Sequence, residues 1–203
     1  MNHKRTVPLL KSFNSLPQGY REIYSIDLQK NKKTSLLVNS VALAIAAIFT
    51  IPMIFVVPIS TLFSMDKGLG AYCLRFGSLL ILCILYMILH EVVHGIAMKM
   101  CGTKKVKYGF TGLYAFAGSD DYYDKKSYIF IALAPIVVWG IVLLIINFFV
   151  PTEWFWVIYL IQITNISGAA GDLFVTIKFS RLPKDILVKD YGVGMHVFSK
   201  TIN

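Results

Sequence analysis

Acidic side chains are scarce in this sequence: 11 Asp and Glu stand against 20 Lys and Arg among 203 residues, for a net charge of +9. Charged residues of both signs together make up only 15%, against 56% hydrophobic, which is too few to clothe an ordinary soluble domain. Cysteine is rare as well. Cys73, Cys83 and Cys101 form no CxxC pair, so neither a disulfide framework nor a thiolate zinc site is indicated, and all three read as apolar filler. Internal repeats and low-complexity tracts are absent, and the chain reads as one membrane-embedded unit.

What the sequence has in quantity is long apolar runs. Leu36 to Phe63, Leu74 to Met100, Tyr128 to Val150 and Trp154 to Phe179 are each long enough to cross about 30 Å of hydrocarbon at about 1.5 Å per helical residue. The expected fold class is therefore an all-α integral membrane protein of four transmembrane helices. Residues 1–35 form a lead-in, 36–179 the four-span core and 180–203 a tail. The lead-in is far longer than the n-region of a signal peptide, so the first span is expected to stay as an anchor. A short interfacial helix is expected around Arg21 to Leu28, in a stretch that also holds Pro8, Pro17 and Gly19.

The basic residues are sorted. From Lys4 and Arg5 to Lys200, all but Lys67 and Arg75 fall on one side of the four spans. The positive-inside rule makes that side cytoplasmic, with both termini inside and the chain multi-pass in the cell membrane. Topology and attraction to anionic lipid headgroups account for the charge, and no nucleic-acid partner is expected.

The second run ends in "MILHEVVHG", Met87 to Gly95. Successive helical residues lie about 100° apart, so His90 and His94 project from one face with Glu91 to the side of the pair. Two imidazoles can grip one Zn²⁺, and a neighbouring carboxylate can take a proton from water and later give it to a leaving amine. The plain alternative is a chance match whose histidines are satisfied by backbone carbonyls or sit among headgroups. Against it stands the cost of charge near the centre of a span, about 2.5–3.5 kcal/mol on insertion scales, which makes a polar cluster there a functional hypothesis by default.

Zinc wants a third protein ligand. Asp172, in "TNISGAAGDLF" of the fourth run, is the only acidic residue inside a span besides Glu91. Counted from the outer ends, His90 lies about 24 Å deep and Asp172 about 27 Å, nearly one level. The small residues Ser167 to Gly171 would let the fourth backbone approach the second closely. The alternative role for Asp172 is a buried partner for a lysine or a hydroxyl.

Between the second and third runs, "KVKYGFTGLYAFAG" alternates Val106, Tyr108 and Phe110 with polar or small residues and turns at Thr111 and Gly112. It reads as a β-hairpin-like excursion continuing through Leu113 to Ala117. An exposed edge there could hold an extended peptide by strand addition, while an amphiphilic loop resting in the headgroups is the plain alternative. Asp120, Asp121 and Asp124 read as solvated surface, with Asp124 or Ser127 the alternative as a cap for the third helix. Pro52 and Pro58 interrupt the first span, either gating lateral entry or only shaping its packing. His196, in "KDYGVGMHVF", follows turn glycines and reads as surface.

HEVVHG, "IALAP" at Ile131 to Pro135 and the Asn165 to Asp172 segment together resemble the site-2 protease class of intramembrane zinc metalloproteases. More closely, the chain from about Gly19 onward resembles an uncharacterised bacterial family of four-span zincin peptidases, in the "HEVVHG" and "GAAGDL" segments above all and in a similar C-terminal "DYGVG" stretch. The resemblance implies one zinc held by His90, His94 and Asp172, with Glu91 as catalytic base and Asn165 as a substrate-binding residue. Departures exist. Site-2 proteases commonly place Asp before Gly with a proline after the Asn, whereas here Gly171 precedes Asp172, Leu173 follows and no proline intervenes. Ala134 also stands where their third-span signature has glycine.

Two functions from different classes follow. The favoured one is a zinc-dependent intramembrane or membrane-proximal endopeptidase acting on a membrane protein or peptide. The other is a non-catalytic metal-binding, transport or scaffold protein using the same ligands. Glu91 favours the first, because a carrier has no need of a carboxylate beside an open coordination position.

Overall fold

The computed structural model describes residues 10–27, 30–112 and 115–200. Lys4, Arg5, Pro8, Leu28 and Leu113, which the sequence reading uses, lie outside the described residues. In chain order the elements are β1 (Ser12–Phe13), β2 (Arg21–Asp27), α1 (Lys32–Val56), α2 (Ser60–Phe63), α3 (Gly68–Met100), β3 (Lys107–Phe110), β4 (Ala115–Gly118), β5 (Tyr122–Asp124), α4 (Lys125–Phe149), α5 (Thr152–Gly168), α6 (Ala170–Ser180), β6 (Leu187–Asp190) and β7 (Gly194–Ser199).

Among the described residues, four helical rods are long and apolar enough to cross a membrane: α1, α3, α4, and α5 with α6 taken together. Their outward faces stay apolar, with Leu36, Phe55 and Phe148 among the exposed side chains, as a surface turned to lipid requires. The first rod is shorter than its apolar run. Proline disfavours helical backbone in the residue before it, and α1 stops at Val56, just ahead of Val57 and Pro58, leaving α2 as a separate turn. Pro52, by contrast, lies inside α1.

The fourth rod is broken. α5 ends at Gly168, Ala169 takes φ −83° and ψ 17°, and α6 starts afresh at Ala170. Asp172 therefore sits in the first turn of a new helix, where the positive end of the helix dipole suits an anionic side chain. Lys125 ties the far end of α6 to the start of α4 by donating to the carbonyls of Ser180 and Leu182, both at 2.7 Å.

The all-α expectation is corrected by a five-stranded antiparallel sheet, ordered β1-β5-β6-β7-β2, at one end of the rods. The interfacial helix expected around Arg21 to Leu28 is instead strand β2, paired along β7 from Arg21 with Ser199 to Asp27 with Gly194. Its partner lies at the other end of the chain, so a local pattern could not reveal the pairing. The expected excursion does form a hairpin, β3 against β4, with Lys107 opposite Gly118 and Phe110 opposite Ala115. Asp124 ends β5 and caps α4, its carboxylate accepting the Ser127 N–H at 2.8 Å. The largest buried cluster lies where the sheet meets the helix ends, around Met98, Tyr123, Tyr128, Phe179, Val188 and Val197. That packing fixes the sheet-side ends of α3, α4 and α6 against one another.

Candidate metal centre

The i, i+4 spacing on α3 puts the two imidazoles side by side, with ring centroids 4.9 Å apart, and both histidines are buried. The break before α6 brings Asp172 across to them. Its Oδ2 lies 3.5 Å from His90 Nε2 and 3.6 Å from His94 Nε2. One ligand atom from each of the three residues falls within 4.8 Å of the others, the grouping of this kind found among the described residues. Tetrahedral zinc with bonds of about 2.0 Å sets neighbouring ligand atoms about 3.3 Å apart, and the two His–Asp172 spacings lie close to that.

The hydrogen bonds behind the rings sharpen the fit. His94 Nδ1 is 2.9 Å from the carbonyl oxygen of Ile131, which can only accept, so Nδ1 carries the proton. His90 is held through a relay. Asn165 Nδ2 donates to the Ile136 carbonyl at 3.1 Å, which turns its Oδ1 toward Tyr86. The Tyr86 hydroxyl donates to that Oδ1 at 2.9 Å, and its oxygen is then left to accept from His90 Nδ1–H at 2.8 Å. In the neutral imidazoles, with the proton on Nδ1, both Nε2 lone pairs face the Asp172 carboxylate. Three electron-rich groups aimed at one point form a cation-binding donor set, and the outer bonds supply the second layer that orients ligating histidines.

Glu91 lines the same cavity, of about 330 Å³, and the Ala117 backbone N–H of β4 interacts with its carboxyl. Further lining comes from the end of β6 and the segment that joins it to β7. There Asp190 accepts from the Tyr128 hydroxyl at 2.7 Å through Oδ2 and from Gly192 N–H at 2.8 Å through Oδ1. Burial pushes the Asp190 carboxyl above its usual range, and these two donors only partly oppose that. Gly192, at φ +94°, packs so tightly that an added Cβ would meet the Phe116 ring at 2.0 Å. At Gly95, the glycine of HEVVHG, a Cβ would meet the Tyr108 hydroxyl at 1.9 Å. Close glycine contacts thus seat the hairpin beside the histidines.

The structure brings His90, Glu91, His94 and Asp172 to one cavity. Asn165 stands apart: its side chain is fully buried, both polar atoms are engaged and it is not among the cavity-lining residues. His196 lies on β7, 3.1 Å from Glu22 Oε1 and away from the cavity. Sequence reasoning missed Tyr86, Tyr128 and Asp190. For Tyr86 a signal existed, since it precedes His90 by four residues and so shares its helical face.

Residues 83–187, just over half of the chain, match the model of a family described as "Putative zincin peptidase". The chain is also similar to an "Uncharacterized 24.7 kDa protein in gap 5'region" of Pyrococcus woesei, 34% identical over 120 residues that cover 55% of this chain and 50% of that protein. The chain thus spans about half the length of the curated relative it matches. No solved structure matches it.

Proposed function

This chain belongs to that zincin peptidase family, and on this basis we propose that it is a zinc-dependent endopeptidase cutting a membrane protein or peptide within or beside the bilayer. The observation that carries the reading is the convergence of two imidazole Nε2 atoms and the Asp172 carboxylate in a cavity that also holds Glu91. His90, His94 and Asp172 would hold the metal, leaving one tetrahedral position free. Zinc bound there would supply Lewis acidity toward a peptide carbonyl and make water acidic enough to attack near neutral pH.

The remaining work falls to the chain's own groups. Glu91 takes the proton from the attacking water and hands it to the departing amine, a role that needs a carboxylate on the wall of the cavity and adjacent to a ligand. Strand β4 runs along that cavity, with Ala115, Phe116 and Ala117 on its lining, and presents backbone to an extended substrate. Such a strand would keep an unwound peptide straight beside the histidines. The placement of the basic residues orients the sheet end, and with it the site, toward the cytoplasm.

Glu91→Gln tests the reading. The variant is expected to keep about one zinc per chain while cleavage falls by about 10²–10⁴-fold, the usual contribution of a general base. Unchanged cleavage would remove Glu91 from that role. A parent protein that binds zinc but cuts no membrane peptide would favour the metal-carrier reading instead.

A further inference from the structure

Helix α4 carries Pro135 four residues after Ile131. In an uninterrupted α-helix the N–H of each residue bonds to the carbonyl four residues earlier. Proline has no N–H, and its ring presses on that same carbonyl and tilts it away from the helix axis. The Ile131 carbonyl is thereby deprived of its helical donor in the protein interior, where Ile131 is 2% exposed and Pro135 is fully buried. The group that comes to it is His94, whose Nδ1 lies at 2.9 Å. The Ile136 carbonyl, which receives Asn165, differs, because Gly140 four residues on keeps its N–H.

We propose that Pro135 is a positioning residue for the metal centre: by removing a helical donor it frees the Ile131 carbonyl to hold His94 with its proton on Nδ1 and its Nε2 lone pair toward Asp172. The inference rests on the reading of His90, His94 and Asp172 as a zinc site. It assigns to this proline a purpose beyond bending the helix. Were residue 135 to carry an N–H, the helix could close over Ile131, and the carbonyl would turn back along the axis and away from the imidazole. His94 would lose the acceptor that selects its tautomer, and an imidazole with its proton on Nε2 cannot ligate through that atom.

The test is zinc binding by the full-length chain in detergent or nanodiscs, measured by competition with a chromophoric chelator, with Zn²⁺ alone as the probe. Pro135→Ala should weaken zinc affinity by about 10-fold or more, the range seen when the partner of a ligating histidine is lost. The thermal midpoint of the metal-free protein should stay level or rise, because alanine suits a helix interior far better than proline. Opposite movement of the two readouts separates positioning from a general structural role, which would lower both. Wild-type zinc affinity in Pro135→Ala, with binding lost in His94→Ala, would overturn the role of Pro135 and leave the zinc reading intact. No zinc binding by the parent protein, or full binding by His94→Ala, would overturn both. Histidine ¹⁵N spectra of the parent give a check that needs no variant: the proposal expects the His94 proton on Nδ1, and a proton on Nε2 with Nδ1 bare contradicts it.

Discussion

Tyr86 donates its hydroxyl proton to Asn165 Oδ1 across 2.9 Å, joining α3 to α5 directly behind His90. The link makes the fourth rod part of the support for a ligand on the second. Tyr86→Phe leaves the His90 Nδ1–H and the Asn165 carbonyl without their shared partner while the ring keeps its packing. Zinc affinity is expected to fall about 10-fold, with a stability loss of about 1–3 kcal/mol for the unsatisfied buried groups. Chelator competition and thermal unfolding measure the two; an unaltered zinc Kd would detach the relay from the site.

Asp172 supplies the one anionic donor of the three. Asp172→Ala removes it and leaves two neutral imidazoles, which hold zinc poorly without a third protein ligand. Metal analysis of the purified variant should find little zinc after dialysis against a weak chelator. Full occupancy would take Asp172 out of the ligand set.

Asp190 gives the cavity wall a pH dependence. Burial raises its carboxyl above the ordinary value, so the folded protein binds this proton more tightly than the unfolded chain does. A raised carboxyl detracts from stability when ionised, and that penalty fades as pH falls through the folded value toward about 4, the unfolded value. Asp190→Asn escapes the penalty. Its thermal midpoint is expected above the parent's at pH values where Asp190 is ionised, with the gap closing on acidification. Thermal melts across a pH series check the sign; a gap that widens on acidification would contradict it.

Gly192 holds a left-handed backbone at φ +94° and has the Phe116 ring where a side chain would begin. Gly192→Ala should cost about 1–3 kcal/mol for the backbone alone and push Phe116, with β4, off the cavity wall. Cleavage should fall while zinc content holds, because the three donors stand on α3 and α6 and not on this turn. Comparing zinc stoichiometry and peptide cleavage in the one variant decides it; loss of zinc would mean that the hairpin supports the ligands as well.

The zinc motif was legible because a helix repeats every 3.6 residues, so His90 and His94 on one face follow from spacing alone. Asp172 was legible by scarcity, as the acid left inside a span. The sheet was not legible. Strand β2 pairs with β7 across nearly the whole chain, and "REIYSID" carries its alternation in only 7 residues interleaved with charge. Asn165 looked like a substrate residue because the resemblance pointed there; its place behind Tyr86 depends on how α4 and α5 pack, which no local pattern encodes. Pro135 was visible as part of a motif, but its four-residue offset from Ile131 acquires meaning only once His94 is known to face that carbonyl. Asp190 escaped notice for a related reason: it ends strand β6, which reaches the cavity wall through its pairing with β5 and β7.

The most direct test of the account is X-ray absorption at the zinc edge on the purified, zinc-loaded chain. The account predicts one zinc with two imidazole nitrogens at about 2.0–2.1 Å and a carboxylate oxygen at about 2.0–2.2 Å, and loss of the carboxylate signal in Asp172→Ala. A sulfur shell at about 2.3 Å, or a chain that takes up no zinc at all, would contradict it.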